Sequence, residues 1–283
     1  MKKWLIILRA YSWPASLVPV VLGSVIAWRA APFSALDFVL TFTAALLVHS
    51  AANLANTYFD FKNGVDRAET ADDRGLVDGL MAPRAMLLLA LGLFAAGGAI
   101  GLLLALKNGV PALLWLGAAG FALAWFYTAT GFAYKYRALG DIGIFFAFGP
   151  CIVAGTALIQ ARAFLPEALW ASVPVGLLIV AILHANNMRD MKGDAQSGFS
   201  TLAGALGPGK AEVFYYVLIF LPYLFSLTFG SAWPAALCAL SLPLTVRLVR
   251  LVAKRDFPSL VPETAKLVAA YGLLLSAGLY MAA

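Results

Sequence analysis

Long apolar runs constrain the fold of this chain more than any other feature. A helix needs roughly 20 apolar residues to cross a bilayer, and about nine runs meet that criterion. They cover approximately residues 11–28, 38–58, 85–106, 110–130, 141–161, 168–187, 212–230, 232–249 and 264–282. Charged residues make up only 12% of the chain, whereas soluble domains carry about 25%. The pattern predicts one all-α membrane domain, residues 1–283, with nine transmembrane helices.

Basic residues are distributed unevenly between the two ends of these spans. If the N-terminus lies inside and nine spans alternate, all but three of the 20 Lys and Arg residues fall in inside segments. The three exceptions are Arg29, Lys107 and Arg162. The positive-inside rule then places the N-terminus in the cytoplasm, and the expected location is the inner membrane of a bacterium. Because topology explains the net charge of +6, no nucleic-acid partner is needed.

Two groups of polar residues end the second and sixth spans, both on the predicted cytoplasmic side. Each group has the spacing i, i+3, i+7, so its members lie on one face of a helix. The two trios are Asn53, Asn56 and Asp60, and Asn187, Asp190 and Asp194. They are therefore expected at the same depth in the membrane.

The acidic character of both trios predicts a cation between them, since facing carboxylates repel. Oxygen ligands without a His or Cys cluster favour Mg²⁺, which usually shares its coordination shell with phosphate oxygens. We therefore expect a phosphorylated ligand that Mg²⁺ bridges to Asp60 and Asp190. The supporting residues are Asn56, Asp66, Asn187 and Asp194. A simpler interpretation is that all of them are helix-end residues solvated by water.

Several basic residues near the trios are candidates for contacts with a diphosphate. They are Lys62, Arg67, Lys135, Arg137 and Arg189. Cations placed at a departing diphosphate stabilise the charge that develops on it and so lower the barrier. The alternative explanation for each of them is membrane topology. For His184, beside the second trio, a hydrogen-bonded structural role is expected.

Four segments resemble the UbiA superfamily of intramembrane prenyltransferases. NLANTYFDFKNGVD (residues 53–66) and HANNMRDMKGD (184–194) resemble its two aspartate-rich motifs. YTATGFAYKYRALGD (127–141) resembles its third shared segment, and RAYSWPASLVPVVLG (9–23) resembles its first helix. The motif flanks are most similar to the menaquinone branch, which includes the MenA-type dihydroxynaphthoate polyprenyltransferases and the animal menaquinone-4 synthase. Thr57 stands where MenA-type enzymes often have Asp, which implies that it lies outside the metal shell.

The resemblance implies nine helices around a central cavity, with a cytoplasmic cap formed by loops 61–84 and 191–210. It implies Mg²⁺-dependent transfer of a polyprenyl group from its diphosphate to an aromatic ring. The predicted metal ligands are Asn56, Asp60, Asn187, Asp190 and Asp194. The predicted catalytic residues are Asp60, Asp66, Lys135 and Asp190. The predicted substrate-binding residues are Asn53, Lys62, Arg67, Tyr127, Asn186 and Arg189.

The leading hypothesis is transfer to 1,4-dihydroxy-2-naphthoate with loss of carbon dioxide, in menaquinone biosynthesis. The partners would be the polyprenyl diphosphate, the aromatic acceptor and membrane lipid. Menadiol, 4-hydroxybenzoate, homogentisate or a glycerol phosphate lipid are alternative acceptors. A cation-coupled secondary transporter is an alternative of another class, but transporter sites usually lie near the midplane of the membrane. A lipid-binding scaffold does not explain two trios with the same spacing.

Overall fold

The computed structural model describes residues 2–66, 74–129, 132–196 and 198–282, and this part of the chain is helical apart from turns and one isolated bridge. The helices of the first half are α1 Lys2–Ile7, α2 Pro14–Trp28, α3 Ala35–Lys62, α4 Arg74–Val77, α5 Pro83–Asn108, α6 Ala112–Trp125 and α7 Gly140–Phe146. Those of the second half are α8 Ile152–Ala161, α9 Pro166–Gln196, α10 Leu202–Leu206, α11 Pro208–Ser226, α12 Ala232–Ala239, α13 Leu242–Ala253 and α14 Phe257–Met281. A π-helical turn, Ala147–Cys151, joins α7 to α8.

Six helical segments of the described chain are long and apolar enough to cross a membrane, which makes this a multi-pass membrane protein. They are Ala10–Trp28, Ala35–Lys62, Pro83–Asn108, Gly140–Ala161, Pro166–Gln196 and Phe257–Met281. The pair α12 and α13, bent by 49°, makes a seventh if it is one span. The all-α prediction is confirmed, whereas the prediction of nine spans is not. Helix α6 has only 14 residues, and α11 begins with the polar residues Lys210 and Glu212.

The two longest helices, α3 and α9, carry the polar trios at their C-terminal ends. The Ser34 side chain caps the start of α3 by accepting a hydrogen bond from the backbone N–H of Asp37 (3.3 Å). Proline begins α9, where its missing N–H has no helical partner to lose. The C-terminal ends of both helices line one cavity, so their polar ends lie at the same side of the bundle.

The opposite end of α3 carries a separate ion pair. Asp37 is buried and accepts hydrogen bonds from Lys107 (2.7 Å) and Asn108 (3.3 Å) at the end of α5. Lys107 is one of the three basic residues predicted to lie outside. Because Asp37 neutralises it, this end of the bundle carries less positive charge than the residue count indicates.

Close packing of α2 against α8 depends on Gly23. A Cβ atom at this position would lie 2.5 Å from the carbonyl oxygen of Val153 and 2.8 Å from Cβ of Thr156. A Cβ atom at Gly92 on α5 would have no such neighbour within 4 Å, so Gly92 provides a matched control.

We expect Gly23→Ala to lower the free energy of unfolding by about 1–3 kcal/mol, because the backbone of α8 must move to relieve the overlap. Gly92→Ala should leave stability unchanged or raise it by up to about 1 kcal/mol, the gain in helix propensity. Thermal unfolding in detergent measures both changes. Equal melting temperatures for the two variants would contradict this packing of α2 on α8.

Candidate active site

A polar cavity of about 340 Å³ lies where the C-terminal ends of α3 and α9 meet. Eleven of the residues predicted for the site line it, so both trios face one space. They are Asn53, Asn56, Asp60, Asp66, Tyr127, Lys135, Asn186, Asn187, Arg189, Asp190 and Asp194. Lys62 is exposed, and neither Lys62 nor Arg137 lines the cavity. Arg67 lies outside the described residues.

The Asp60 carboxylate is buried and held by two residues of the loop that follows α6. Lys135 donates a hydrogen bond to it from Nζ at 2.8 Å, and the Tyr136 hydroxyl donates a second one. Burial acts against the charge of Lys135, but the carboxylates of Asp60 and Asp194 hold the pKa of this lysine above its ordinary value. Lys135 therefore stays protonated between the two trios. Sequence reasoning missed Tyr136, because one tyrosine in an aromatic loop carries no spacing signal.

The second trio has its own cation. Arg189 binds the Asp190 carboxylate through Nε (2.8 Å) and Nη2 (2.7 Å), and Nη2 also donates to the side-chain oxygen of Asn186 (2.8 Å). This fork-like contact fixes both charged groups at the edge of the cavity. Each acidic helix end is thus paired with a cation that is also placed to meet an anionic ligand.

The carboxylate and amide oxygens of the two trios suit a hard divalent cation, although the carboxylates do not already converge on one point. The side-chain oxygen of Asn56 is buried and has no hydrogen-bond partner among the described residues, so it can accept a metal ion without breaking a bond. No group of three or more His, Cys, Asp or Glu side chains converges on one point within the described ranges. Lys135 and Arg189 instead hold the carboxylates of Asp60 and Asp190. A metal ion would have to take the place of these cations.

An apolar chamber of about 570 Å³ adjoins the polar cavity. It is lined mainly by α3, α5, α6 and α8, and it extends along α3 from Asn56 to Thr41, which is about 22 Å. Leu102, Leu114 and Phe121 line it and are also exposed on the outer surface. The chamber therefore borders on the lipid-facing side of the bundle.

The two spaces share a group of residues that we call the junction. It consists of His49, Asn53, Asn56, Tyr127, Ile144 and Phe148. The residues of the junction come from α3, from the loop after α6, from α7 and from the π-helical turn. Sequence reasoning singled out Asn53, Asn56 and Tyr127 but missed the others, because apolar and aromatic residues inside a span look like ordinary core.

A hydrogen-bond network anchors the N-terminal turn, Arg9–Ser12, to α3. Ser12 Oγ donates to the Arg9 carbonyl (2.8 Å) and accepts from Asn53 Nδ2 (3.2 Å). These contacts assign the proton of His49 to Nε2, which donates to Ser12 Oγ (3.0 Å), while Nδ1 accepts from Ser16 (2.7 Å). Arg9 has a left-handed backbone (φ 50°, ψ 48°), and the network holds it there.

A second buried histidine fixes the other wall of the site. His184 contacts the Asp141 carboxylate (3.0 Å) through Nδ1 and the Ala211 carbonyl (3.1 Å) through Nε2. It ties α9 to α7 and α11, which is the structural role expected for it.

Tyr127 is half-buried beside Lys135 and lines both spaces. Burial, together with the nearby carboxylates of Asp141 and Asp60, raises the pKa of this tyrosine well above its ordinary value. Its hydroxyl is therefore neutral at physiological pH. A neutral phenol can donate a hydrogen bond, but it is a poor base.

Comparison with known proteins identifies the family to which this architecture belongs. The model of the UbiA prenyltransferase family matches residues 16–277. UbiA prenyltransferase domain-containing protein 1 from Gallus gallus is 38% identical over 288 residues, which cover 99% of this chain and 85% of that protein.

Two solved structures share the fold. A UbiA homolog from Aeropyrum pernix K1, in its apo form, has a TM-score of 0.72 at 19% identity, covering 97% of this chain and 98% of that one. A UbiA homolog from Archaeoglobus fulgidus bound to GPP and Mg²⁺ has a TM-score of 0.68 at 18% identity, covering 97% and 99%. The resemblance found in the motifs is thus confirmed over nearly the whole chain, and this protein is a prenyltransferase that belongs to the UbiA prenyltransferase family.

Proposed function

We propose that this protein transfers a polyprenyl group from its diphosphate to 1,4-dihydroxy-2-naphthoate, with Mg²⁺ as cofactor, and so makes demethylmenaquinol. The observation that carries the proposal is that the polar cavity and the apolar chamber adjoin each other and share six lining residues. A polyprenyl diphosphate has the same division into a charged head and an apolar tail. The choice of acceptor is supported by the resemblance of the motif flanks to the menaquinone branch.

The metal would be held by oxygens from both helix ends. We assign its ligands to Asn56 and Asp60 on α3 and to Asn187, Asp190 and Asp194 on α9. The buried, unpartnered oxygen of Asn56 supports this assignment, and so does the Mg²⁺ bound with GPP in the Archaeoglobus homolog. When bound, Mg²⁺ would stabilise negative charge on the diphosphate oxygens.

The basic side chains would meet the same head group. Lys135 and Arg189 lie at the cavity, one beside each trio, and both retain their charge there. We propose that they exchange their carboxylate partners for diphosphate oxygens when substrate binds. Asp66 and Asn186 line the same space and would support the ligands around the head group. Lys62 lies outside the cavity and has no part in this assignment.

The reaction needs little acid–base chemistry from the protein. The bond between C1 of the prenyl group and its oxygen breaks, and the electron pair leaves with the diphosphate. A ring carbon of the acceptor then supplies a pair to the allylic cation. If that carbon carries a carboxylate, loss of carbon dioxide returns the pair to the ring, and no proton has to be removed from carbon. The neutral hydroxyl of Tyr127 is compatible with a reaction that needs no strong base, since it can instead orient an oxygen by donating a hydrogen bond.

The membrane arrangement forms part of the proposal. Helices occupy all nine predicted runs, and we propose that α6, α11 and the bent pair α12–α13 complete nine crossings. The polar cavity would then open to the cytoplasm beneath a cap formed by segments 61–84 and 191–210, which include α4 and α10; residues 67–73 and 197 of these segments lie outside the described part of the chain. A bacterial inner membrane stays a prediction, since the Gallus gallus relative is an animal protein. Labelling of single cysteines at Lys192 and Arg162 from either side of sealed vesicles tests the orientation, and equal access would contradict it.

A comparison of acceptors tests the proposed reaction. Purified protein with Mg²⁺ and geranylgeranyl diphosphate should prenylate dihydroxynaphthoate more efficiently, in kcat/KM, than menadiol or 4-hydroxybenzoate. Preference for 4-hydroxybenzoate would keep the fold and chemistry but reject the menaquinone assignment. Substrate-dependent cation flux through liposomes, without prenyl transfer, would instead favour the transporter alternative.

A further inference from the structure

We propose that the junction is the binding site for the aromatic acceptor, with its ring against Phe148 and Tyr127 and a ring hydroxyl donating to the side-chain oxygen of Asn53. The inference rests on the proposed function, because it identifies where the second substrate of that reaction binds. The ligand class is a hydroxylated aromatic ring, with or without a carboxylate.

The position of the junction is what the chemistry requires. The head group belongs in the polar cavity and the tail in the apolar chamber, so C1 of the prenyl group must lie between them. Residues that line both spaces are therefore placed to contact a ring that attacks C1. Phe148, Tyr127 and Asn53 all meet this condition.

The segment that carries Phe148 is not a regular α-helix. This residue lies in the π-helical turn Ala147–Cys151, and such turns inside helices often occur at functional sites. A Cβ atom at the adjacent Gly149 would lie 3.2 Å from Cα of Gly176, so α9 closely backs the turn. The His49 ring lies edge-on to Phe148 at 5.1 Å. The backbone next to Phe148 is therefore backed by α9, and the ring of Phe148 contacts His49.

Asn53 offers an acceptor of the right kind. Its Nδ2 group donates to Ser12 Oγ (3.2 Å) and, over a longer distance, to the Leu8 carbonyl (3.4 Å). Both bonds fix the amide so that Nδ2 faces the N-terminal turn. Its Oδ1 atom has no hydrogen-bond partner within the described part of the chain. When the amide oxygen accepts a hydrogen bond from a ring hydroxyl, it increases the electron density on the hydroxyl oxygen. The ring then becomes a better nucleophile.

Direct binding measurements test the inference separately from turnover. Full-length protein in nanodiscs, without prenyl diphosphate and without oxygen, would be titrated with dihydroxynaphthoate, menadiol and 4-hydroxybenzoate. We expect Asn53→Ala to raise the Kd of the best-bound ring about tenfold, the effect of one hydrogen bond. Phe148→Leu should raise it about threefold to tenfold through the lost aromatic contact.

Three controls separate recognition from folding. Phe146→Leu changes a neighbouring exposed phenylalanine that lines neither space, and it should bind the ring as wild type does. Ser12→Ala disturbs the same network but keeps the amide oxygen, so its Kd should change less than that of Asn53→Ala. Geranylgeranyl diphosphate affinity, measured on Asn53→Ala and Phe148→Leu, should fall less than ring affinity does, since most residues that line the polar cavity and the apolar chamber lie outside the junction.

The outcomes are distinct for the two proposals. Wild-type Kd values in both Asn53→Ala and Phe148→Leu would overturn the junction site, as would the absence of saturable binding of any of the three rings. If the rings bind as described but no prenylated product forms, the junction site holds and the proposed function fails. If product forms while both variants bind normally, the proposed function holds and the acceptor site lies elsewhere.

Discussion

Replacing Asp60 with asparagine should lower kcat on the order of a thousandfold, at the upper end of the loss seen when one stabilising group is removed from an active site. Asp60 is the buried carboxylate of the first trio, and it is the group that links Lys135 and Tyr136 to α3. Asparagine has nearly the same shape, so the cavity would keep its form. It lacks the charge that both the metal and Lys135 require. Turnover at saturating substrate measures the effect.

Asp37→Asn is the matched control for this substitution. Asp37 is also buried on α3 and is also paired with a lysine, Lys107 at 2.7 Å. It lies at the opposite end of the helix, far from the polar cavity. Its replacement should cost stability, because Lys107 loses its partner, but should leave kcat within about twofold of wild type. Similar losses of kcat in both variants would mean that Asp60 acts through the fold and not at the site.

Lys135→Met should have two effects of opposite sign. We expect kcat to fall at least about a hundredfold, because a cation that stabilises the leaving group is lost. We also expect Mg²⁺, in the absence of diphosphate, to bind about tenfold more tightly, since the metal no longer competes with a charge-assisted hydrogen bond to Asp60. Metal affinity can be measured by calorimetry or, with Mn²⁺ as a probe, by electron paramagnetic resonance.

The sign of the metal effect distinguishes two roles for this lysine. The raised pKa of Lys135 keeps the competing charge in place at every pH below the ordinary pKa of a lysine, and deprotonation would release it only above that range. Lys62→Met serves as the control, because Lys62 is a basic residue at the end of α3 that does not line the cavity. Weaker Mg²⁺ binding by Lys135→Met than by Lys62→Met would show that Lys135 organises the metal ligands and does not compete with them.

Much of the site could be predicted from the sequence because its signal is a spacing. Two trios with the same i, i+3, i+7 pattern at the ends of apolar runs rarely arise by chance, and Asn56, Asp60, Asn187, Asp190 and Asp194 do line one cavity. The lengths of the apolar runs likewise indicated a helical membrane protein. Spacing and run length can both be read from a sequence, and neither depends on how the helices pack.

The parts of the site that could not be predicted from the sequence are those that depend on tertiary contacts. Tyr136 and Phe148 reach the site only because a loop and a π-helical turn fold toward it, and His49, on α3, is held by hydrogen bonds to Ser12 and Ser16. The bend of 49° between α12 and α13 is not predicted either, because the run 232–249 is identified by its apolar content, although Pro243 lies at the start of α13. Lys62 is a different case, since its proximity to Asp60 in the sequence does not bring its side chain to the cavity.

The central claim is that both trios act on one prenyl diphosphate whose C1 meets an aromatic ring. Mass spectrometry of the products tests it most directly. Purified protein would receive geranylgeranyl diphosphate, Mg²⁺ and dihydroxynaphthoate, beside Asp60→Asn and a reaction with chelator. We expect a prenylated naphthoquinol without the carboxylate, formed by wild type and absent from both controls. Unchanged substrates with wild type, or equal product from Asp60→Asn, would contradict the claim.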